Sequence, residues 1–106
     1  MDHKQKAMYE AKANVLKALG HPTRLWMAEQ LQDGEKCVCE LADKIEADFS
    51  TISKHLSVLK QAGVVKGRKN GKKMYYTLRV PCVLHYLPCV EEVVANRVSE
   101  QIKLLG

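Results

Sequence analysis

The hydrophobic period of the chain changes at Gly63. Upstream, Val38 to Ile45 and Phe49 to Gln61 carry apolar residues three and four apart, with Asp48 in place to cap the second run and Ile52, Leu56 and Leu59 on its inner side. Downstream, Val64-Val65-Lys66 and Lys73-Met74-Tyr75-Tyr76-Thr77-Leu78 are rich in β-formers, and Asn70-Gly71 between them suits a tight hairpin. Two short helices running into a β-hairpin limit the fold to a mainly α class with one small β element. The rest of the chain fits that class. Met8, Ala11, Val15 and Leu19 recur at helical spacing and Gly20 stops them; Pro22 suits the first turn of a second helix carrying Leu25, Ala28 and Leu31, which Asp33-Gly34 ends.

After Pro81 the pattern is helical again, over about 83–105, with Leu87, Val90, Val94, Val98, Ile102 and Leu105 in one stripe. Such a stripe is longer than a small core can cover. It predicts packing on a second subunit together with the first helix; folding back onto its own core is the alternative. No internal repeat or linker interrupts residues 1–106, so a single domain is expected, with only the first few residues, His3 among them, as a loose tail. A chain of 106 residues buries a modest share of its surface and gains from a partner.

Charge then suggests what the domain touches. The formal net charge is +5 and the pI near 9.1, which favours polyanions without distinguishing DNA, RNA or an anionic membrane. The distribution is more telling. Between Phe49 and Val90 there is no Asp or Glu, while Lys54, Lys60, Lys66, Arg68, Lys69, Lys72, Lys73 and Arg79 fall on the fourth helix and the hairpin. Ser50, Thr51, Ser53, Lys54 and His55 would give that helix short hydroxyls, an ammonium and an imidazole for base edges and phosphates in a major groove. Arg68, Lys69, Lys72 and Lys73 at the hairpin tip would hold the backbone or enter the adjacent minor groove. A solvated lysine-rich face is the ordinary alternative, but the basic run coincides with a helix-turn-helix at about 38–62 and a wing at about 64–78. No apolar run approaches the roughly 20 residues that span a bilayer, and the polar start lacks the apolar centre of a signal peptide. A cytoplasmic protein with no membrane partner is expected.

Nearly the whole chain resembles the ArsR/SmtB family of winged-helix repressors, through Leu19-Gly20-His21-Pro22-Thr23-Arg24-Leu25, Cys37-Val38-Cys39-Glu40-Leu41-Ala42 and Ser50 to Val65. The resemblance implies a homodimer, joined through its N- and C-terminal helices, that binds a two-fold operator in double-stranded DNA, represses its own operon and lets go when an inducer binds. Cys-Val-Cys followed by an acidic residue and Leu is similar to the family's arsenite and antimonite sensor site, in which thiolates ligate the metalloid. Cys37 and Cys39 hold those positions. The family site usually recruits a third thiol one turn later, where this chain has Ala42.

The chemistry of the residues agrees with that site in part. A thiol near a helix N-terminus beside Lys36 is favoured as the thiolate that ligates soft ions. Residues two apart on a regular helix diverge, however, whereas on an extended segment they share a face. Joint ligation therefore requires an extended or unwound first turn, and inducer binding would distort the start of the third helix and disturb the reading helix packed on it. Burial as two small hydrophobes is the plain alternative. Cys82 and Cys89 are the candidates for further metal-ligating sulfurs: on one continuous helix, Cys82, His85 and Cys89 would share a face, but Pro88 would interrupt that helix and turn Cys89 away.

Other roles fit less well. His21 reads as a capping or packing residue and His55 as one facing DNA. Zinc is disfavoured because His85 stands alone and four cysteines suit softer ions, with cadmium or lead left open at Cys37 and Cys39. A thiol-redox or persulfide switch on the same fold is the main competing function, and Cys82 with Cys89 suits it better than the close pair, whose ring would be tight. An enzyme is not expected: the Cys pair lacks the two-residue spacer of the usual redox motif, and no acid/base constellation surrounds a nucleophile.

Overall fold

The computed structural model describes all residues, Met1–Gly106. Five helices and three short strands follow one another as α1 (His3–Leu19), α2 (Pro22–Gln30), β1 (Lys36–Cys37), α3 (Val38–Ile45), α4 (Phe49–Gln61), β2 (Val65–Asn70), β3 (Lys73–Leu78) and α5 (Leu87–Leu105). Single 3-10 turns at Leu31–Asp33 and Pro81–Leu84 join the pieces. The expected mainly α fold with a β wing is what the chain forms.

Local chemistry explains most boundaries. The Asp48 carboxylate accepts the Thr51 N–H at 2.7 Å and so starts α4 where sequence predicts. Glu46, at φ 53°, ends α3 in the left-handed region, and three residues later α4 begins, which makes the tight turn of a helix-turn-helix. Pro22 lies in the first turn of α2, and the His21 Nδ1 caps that helix by accepting the Thr23 N–H at 3.1 Å. The expectation that His21 caps or packs is met.

Three expectations are corrected. The start of the chain is helix and not a tail, because Asp2 and Gln5 form a reciprocal capping box that begins α1 at His3. The hairpin loop is Gly71-Lys72, one residue later than Asn70-Gly71: Asn70 pairs with Lys73, and Gly71 takes the positive φ of 64° that the turn demands. The last helix starts at Leu87 and not at about 83, with Pro88 in its first turn where no donor is lost, so no continuous helix carries Cys82 and Cys89 on one face. Cys82 therefore belongs to the preceding 3-10 turn and Cys89 to α5.

The sheet order is β1-β3-β2, antiparallel throughout. Its third strand was not expected. Lys36 pairs with Tyr76 and Cys37 with Tyr75, so the segment just ahead of the helix-turn-helix is hydrogen-bonded to the wing.

The core lies where α2, α3 and α4 meet the inner face of the wing. Met27, Leu41, Ile52, Leu56 and Leu59 are wholly enclosed, and Val65, Tyr76, Leu78 and Leu84 close it from the sheet side. Each such aliphatic side chain stabilises the fold by about 1.5–3 kcal/mol relative to leaving it in water. Beyond this centre the molecule is open. Its radius of gyration is 16.7 Å, against about 13 Å for a compact chain of this length, because α5 buries only Leu87 and α1 only Ala18 and Leu19.

Candidate nucleic-acid interface and thiol pair

Helix α4 turns Ile52, Leu56 and Leu59 inward, which leaves the opposite side to solvent. Ser50, Thr51 and Lys54 lie there exposed, and Ser53 is half-buried at the edge. The hydroxyl of Ser50 donates to the Asp48 carboxylate at 3.0 Å, so the first turn of α4 is ordered by its cap. The hydrogen bonds from Thr51 and Ser50 hold the Asp48 carboxyl below its ordinary value and keep it anionic at neutral pH. Phe49, 58% exposed at the first position of α4, is a large apolar residue on the same end that charge-based reading passes over.

His55 is half-buried and turned toward α2. Its ring lies 4.6 Å from that of His21, and its Nδ1 is 3.5 Å from the Arg24 guanidinium. Arg24 in turn donates to the Ala18 carbonyl at 2.6 Å. Burial first, then the His21 and Arg24 charges, lower the His55 pKa, so the imidazole is neutral at pH 7. This cluster fixes α4 against the end of α1 and the start of α2.

On the wing, Lys69, Lys72 and Lys73 are exposed at the hairpin tip with no acidic partner. Arg68 differs. Its guanidinium donates to both carboxylate oxygens of Glu35, at 2.7 and 3.1 Å, and lies over the Tyr75 ring at 5.1 Å from the centroid. The acid-free stretch from Phe49 to Val90 is thus answered on one residue by a carboxylate 33 positions away. No sequence spacing signals that pairing.

The thiols separate into two groups. Cys37 is the last residue of β1 and the N-cap of α3, with extended φ −78° and ψ 149°, while Cys39 lies in the first turn of that helix. The extended residue is what allows two positions so close in sequence to face one another: their Cα atoms are 5.2 Å apart and their sulfurs are joined as a disulfide. The pair expected to suit a redox switch less well is the one joined, while Cys82 and Cys89, expected to suit it better, are free. No unwinding of α3 is needed to bring the sulfurs together, because the strand supplies the extended residue. The Cys39 N–H also points at the Cys37 Sγ at 3.1 Å, and the Glu40 carboxylate accepts the Cys37 N–H at 3.2 Å. Of these, the Cys39 N–H is the helix-terminal donor aimed at the Cys37 sulfur, whereas the Glu40 carboxylate closes the cap.

Cys82 and Cys89 are free and exposed. Cys82 edges an apolar cavity of about 280 Å³ lined also by Val15, Val64 and Val83. No group of three or more His, Cys, Asp or Glu side chains converges anywhere in the protomer as a metal cage. The donor set at Cys37 and Cys39 is two sulfurs, which suits a soft ion and lacks the oxygen and nitrogen ligands that harder ions use. No helix is long and apolar enough to cross a membrane.

Comparison with known proteins agrees with this architecture. The family model for bacterial regulatory proteins of the arsR family matches residues 21–66. An uncharacterised HTH-type transcriptional regulator of Methanocaldococcus jannaschii is 39% identical over 98 residues, which are 92% of this chain and 93% of that protein. A homologue of the cadmium resistance regulatory protein CadC from Staphylococcus aureus is 48% identical over 67 residues, 62% of this chain and 55% of that one. Among solved structures, the homodimeric winged helix-turn-helix DNA-binding domain of a possible ArsR-family regulator from Mycobacterium bovis superposes with a TM-score of 0.77. It is 27% identical, over 94% of this chain and 93% of that domain. With its helix-turn-helix, its wing and a full-length relative of the same class, the chain belongs to the arsR family of transcriptional regulators, a family of DNA-binding proteins and not of enzymes.

Proposed function

We propose that the protein is a homodimeric repressor whose α4 and wing bind operator DNA, and that trivalent arsenic or antimony releases it by binding the Cys37 and Cys39 thiolates. The observation that carries this reading is the position of the two sulfurs, brought together at the N-terminus of α3 and one rung from the wing. A soft ion bridging them alters the helix cap and the sheet pairing at once, and both support the reading face. Ser50, Thr51, Ser53 and Lys54 would read the major groove, with His55 behind them, while Arg68, Lys69, Lys72 and Lys73 hold phosphates. The exposed Val93, Val94, Val98 and Ile102 of α5, with Met8 and Leu16 of α1, support a second copy as partner, as does the homodimeric Mycobacterium bovis domain. A third sulfur would come from Cys82 or Cys89 or from a small cellular thiol. A repressor acting on operator DNA with reduced thiols works in the cytoplasm.

A redox reading has its own support in the Cys37–Cys39 bond. There the two thiols would give up two protons and two electrons to a peroxide, which leaves as water, and the disulfide would take the place of the metalloid. Cadmium or lead is the third inducer class, with the cadmium resistance regulator as the similar protein. One experiment separates them. Protein bound to DNA from its own promoter region is titrated with arsenite, antimonite, cadmium, lead and hydrogen peroxide, beside Cys37→Ser and Cys39→Ser. Release by arsenite or antimonite in the wild type only is the expected result; release by peroxide alone, reversed by dithiothreitol, replaces the metalloid with a redox signal.

A further inference from the structure

We propose that Glu35 is a positioning residue of the wing: it holds Arg68 in competition with DNA phosphate, and so sets how readily that arginine can be given to DNA. This rests on the reading of α4 and the wing as the DNA face. The geometry is specific. Both carboxylate oxygens of Glu35 accept from the Nε–Nη2 edge of the guanidinium, at 3.1 and 2.7 Å, while the ring of Tyr75 covers its face. Tyr75 is also the residue opposite which Cys37 pairs on one side and Arg68 on the other, so one rung crosses from the thiol pair through Tyr75 to the arginine. The carboxylate leads into the same strand, two residues ahead of Cys37.

The pair is built to be exchanged. Both side chains reach solvent, at 54% and 35% exposure, and exposed ion pairs are weak enough for a phosphate to displace the carboxylate. A phosphate offers the same paired oxygens, so the arginine changes partner without changing its geometry. Lys69, Lys72 and Lys73 form no ion pair with a carboxylate, whereas the availability of Arg68 depends on where β1 holds Glu35. Hydrogen bonding to Arg68 also lowers the Glu35 pKa, which keeps the competitor anionic throughout the neutral range.

The test is a double-mutant cycle on the full-length protein under reducing conditions, read as the anisotropy of a labelled mixed-sequence DNA duplex over a range of salt. Glu35→Gln should bind about two- to five-fold tighter than wild type, as expected when a competitor of ordinary surface-pair strength is removed. In an Arg68→Ala background the same substitution should give no gain, and Glu35→Asp should restore wild-type affinity. The cycle distinguishes positioning from a general loss of negative charge, which would tighten binding with or without Arg68. Equal tightening in both backgrounds, or none in either, overturns the proposal while leaving the DNA reading intact. A wild type that shows no salt-dependent DNA binding overturns both. Circular dichroism of each variant reports whether it is folded, and a Glu35→Gln variant that unfolds would show the pair to be a structural prop and not a competitor.

Discussion

Helix α4, at 13 residues, buries Ile52, Leu56 and Leu59 completely, whereas α5, at 19, buries only Leu87 and leaves Val93, Val94, Val98 and Ile102 half or more exposed. Both carry apolar residues three and four apart. Spacing therefore identifies which side of a helix is apolar and says nothing of what covers it. In α4 the cover is α2, α3 and the wing; in α5, beyond Leu87 in its first turn, the apolar stripe is left exposed. Substitutions on the two helices should accordingly fail in different ways, one by unfolding the protomer and the other by separating protomers.

The largest effect is expected from Val98→Asp combined with Ile102→Asp. Burying an uncompensated carboxylate costs about 3–5 kcal/mol, so a dimer closed by α5 should sediment as a monomer with its helical circular dichroism intact. A dimer that survives both changes would break the comparison, by showing that the stripe is not the contact. Leu56→Ala should do the reverse, lowering the free energy of urea unfolding by about 2–5 kcal/mol while the folded fraction assembles as wild type. Asp48→Ala, which removes the α4 cap, should cost about 1 kcal/mol, and Asp48→Asn should retain most of it. An equal loss in both would assign the effect to charge instead of the cap.

The smallest effect sharpens the same contrast through pH. The folded state lowers the His55 pKa from its ordinary value of 6.5, so below that value the unfolded chain takes up a proton that the native imidazole resists. Stability should therefore fall as pH drops from 6.5 toward the lower native pKa and then level off. His55→Gln should remove this segment of the curve, as measured by urea unfolding at a series of pH values. A curve that keeps its shape would place the responsible group elsewhere.

Much of the fold is legible because it is locally encoded. The bounds of α3 and α4 follow from Asp48, the apolar repeat and Gly63, all within a few residues of the ends they set. What escapes has a different scale. Strand β1 is two residues long, too short to show a period of two, and it exists only because Tyr75 and Tyr76 lie beside it. The Asp2–Gln5 box is local but polar, so a search for apolar spacing misses it. At the candidate site, the hydroxyls and lysines of α4 are found where the helical period puts them. The inward turn of His55 depends on His21 and Arg24, and the Arg68 partner is Glu35, neither of which lies near its counterpart in sequence. Cys37 and Cys39 were visible as a pair, but their convergence depends on the backbone change from strand to helix between them.

Strand β1 is held to the sheet at two positions, whereas β2 and β3 are paired at six. Local opening scales with the number of bonds and contacts that must be given up, so this short edge can detach at a free energy well below that of global unfolding. Amide exchange should find it first, with the β1 pairing losing protection while the β2–β3 hairpin keeps it. A reagent seeking Cys37 then has no need to wait for the protein to unfold: the breathing of two residues is enough to admit it.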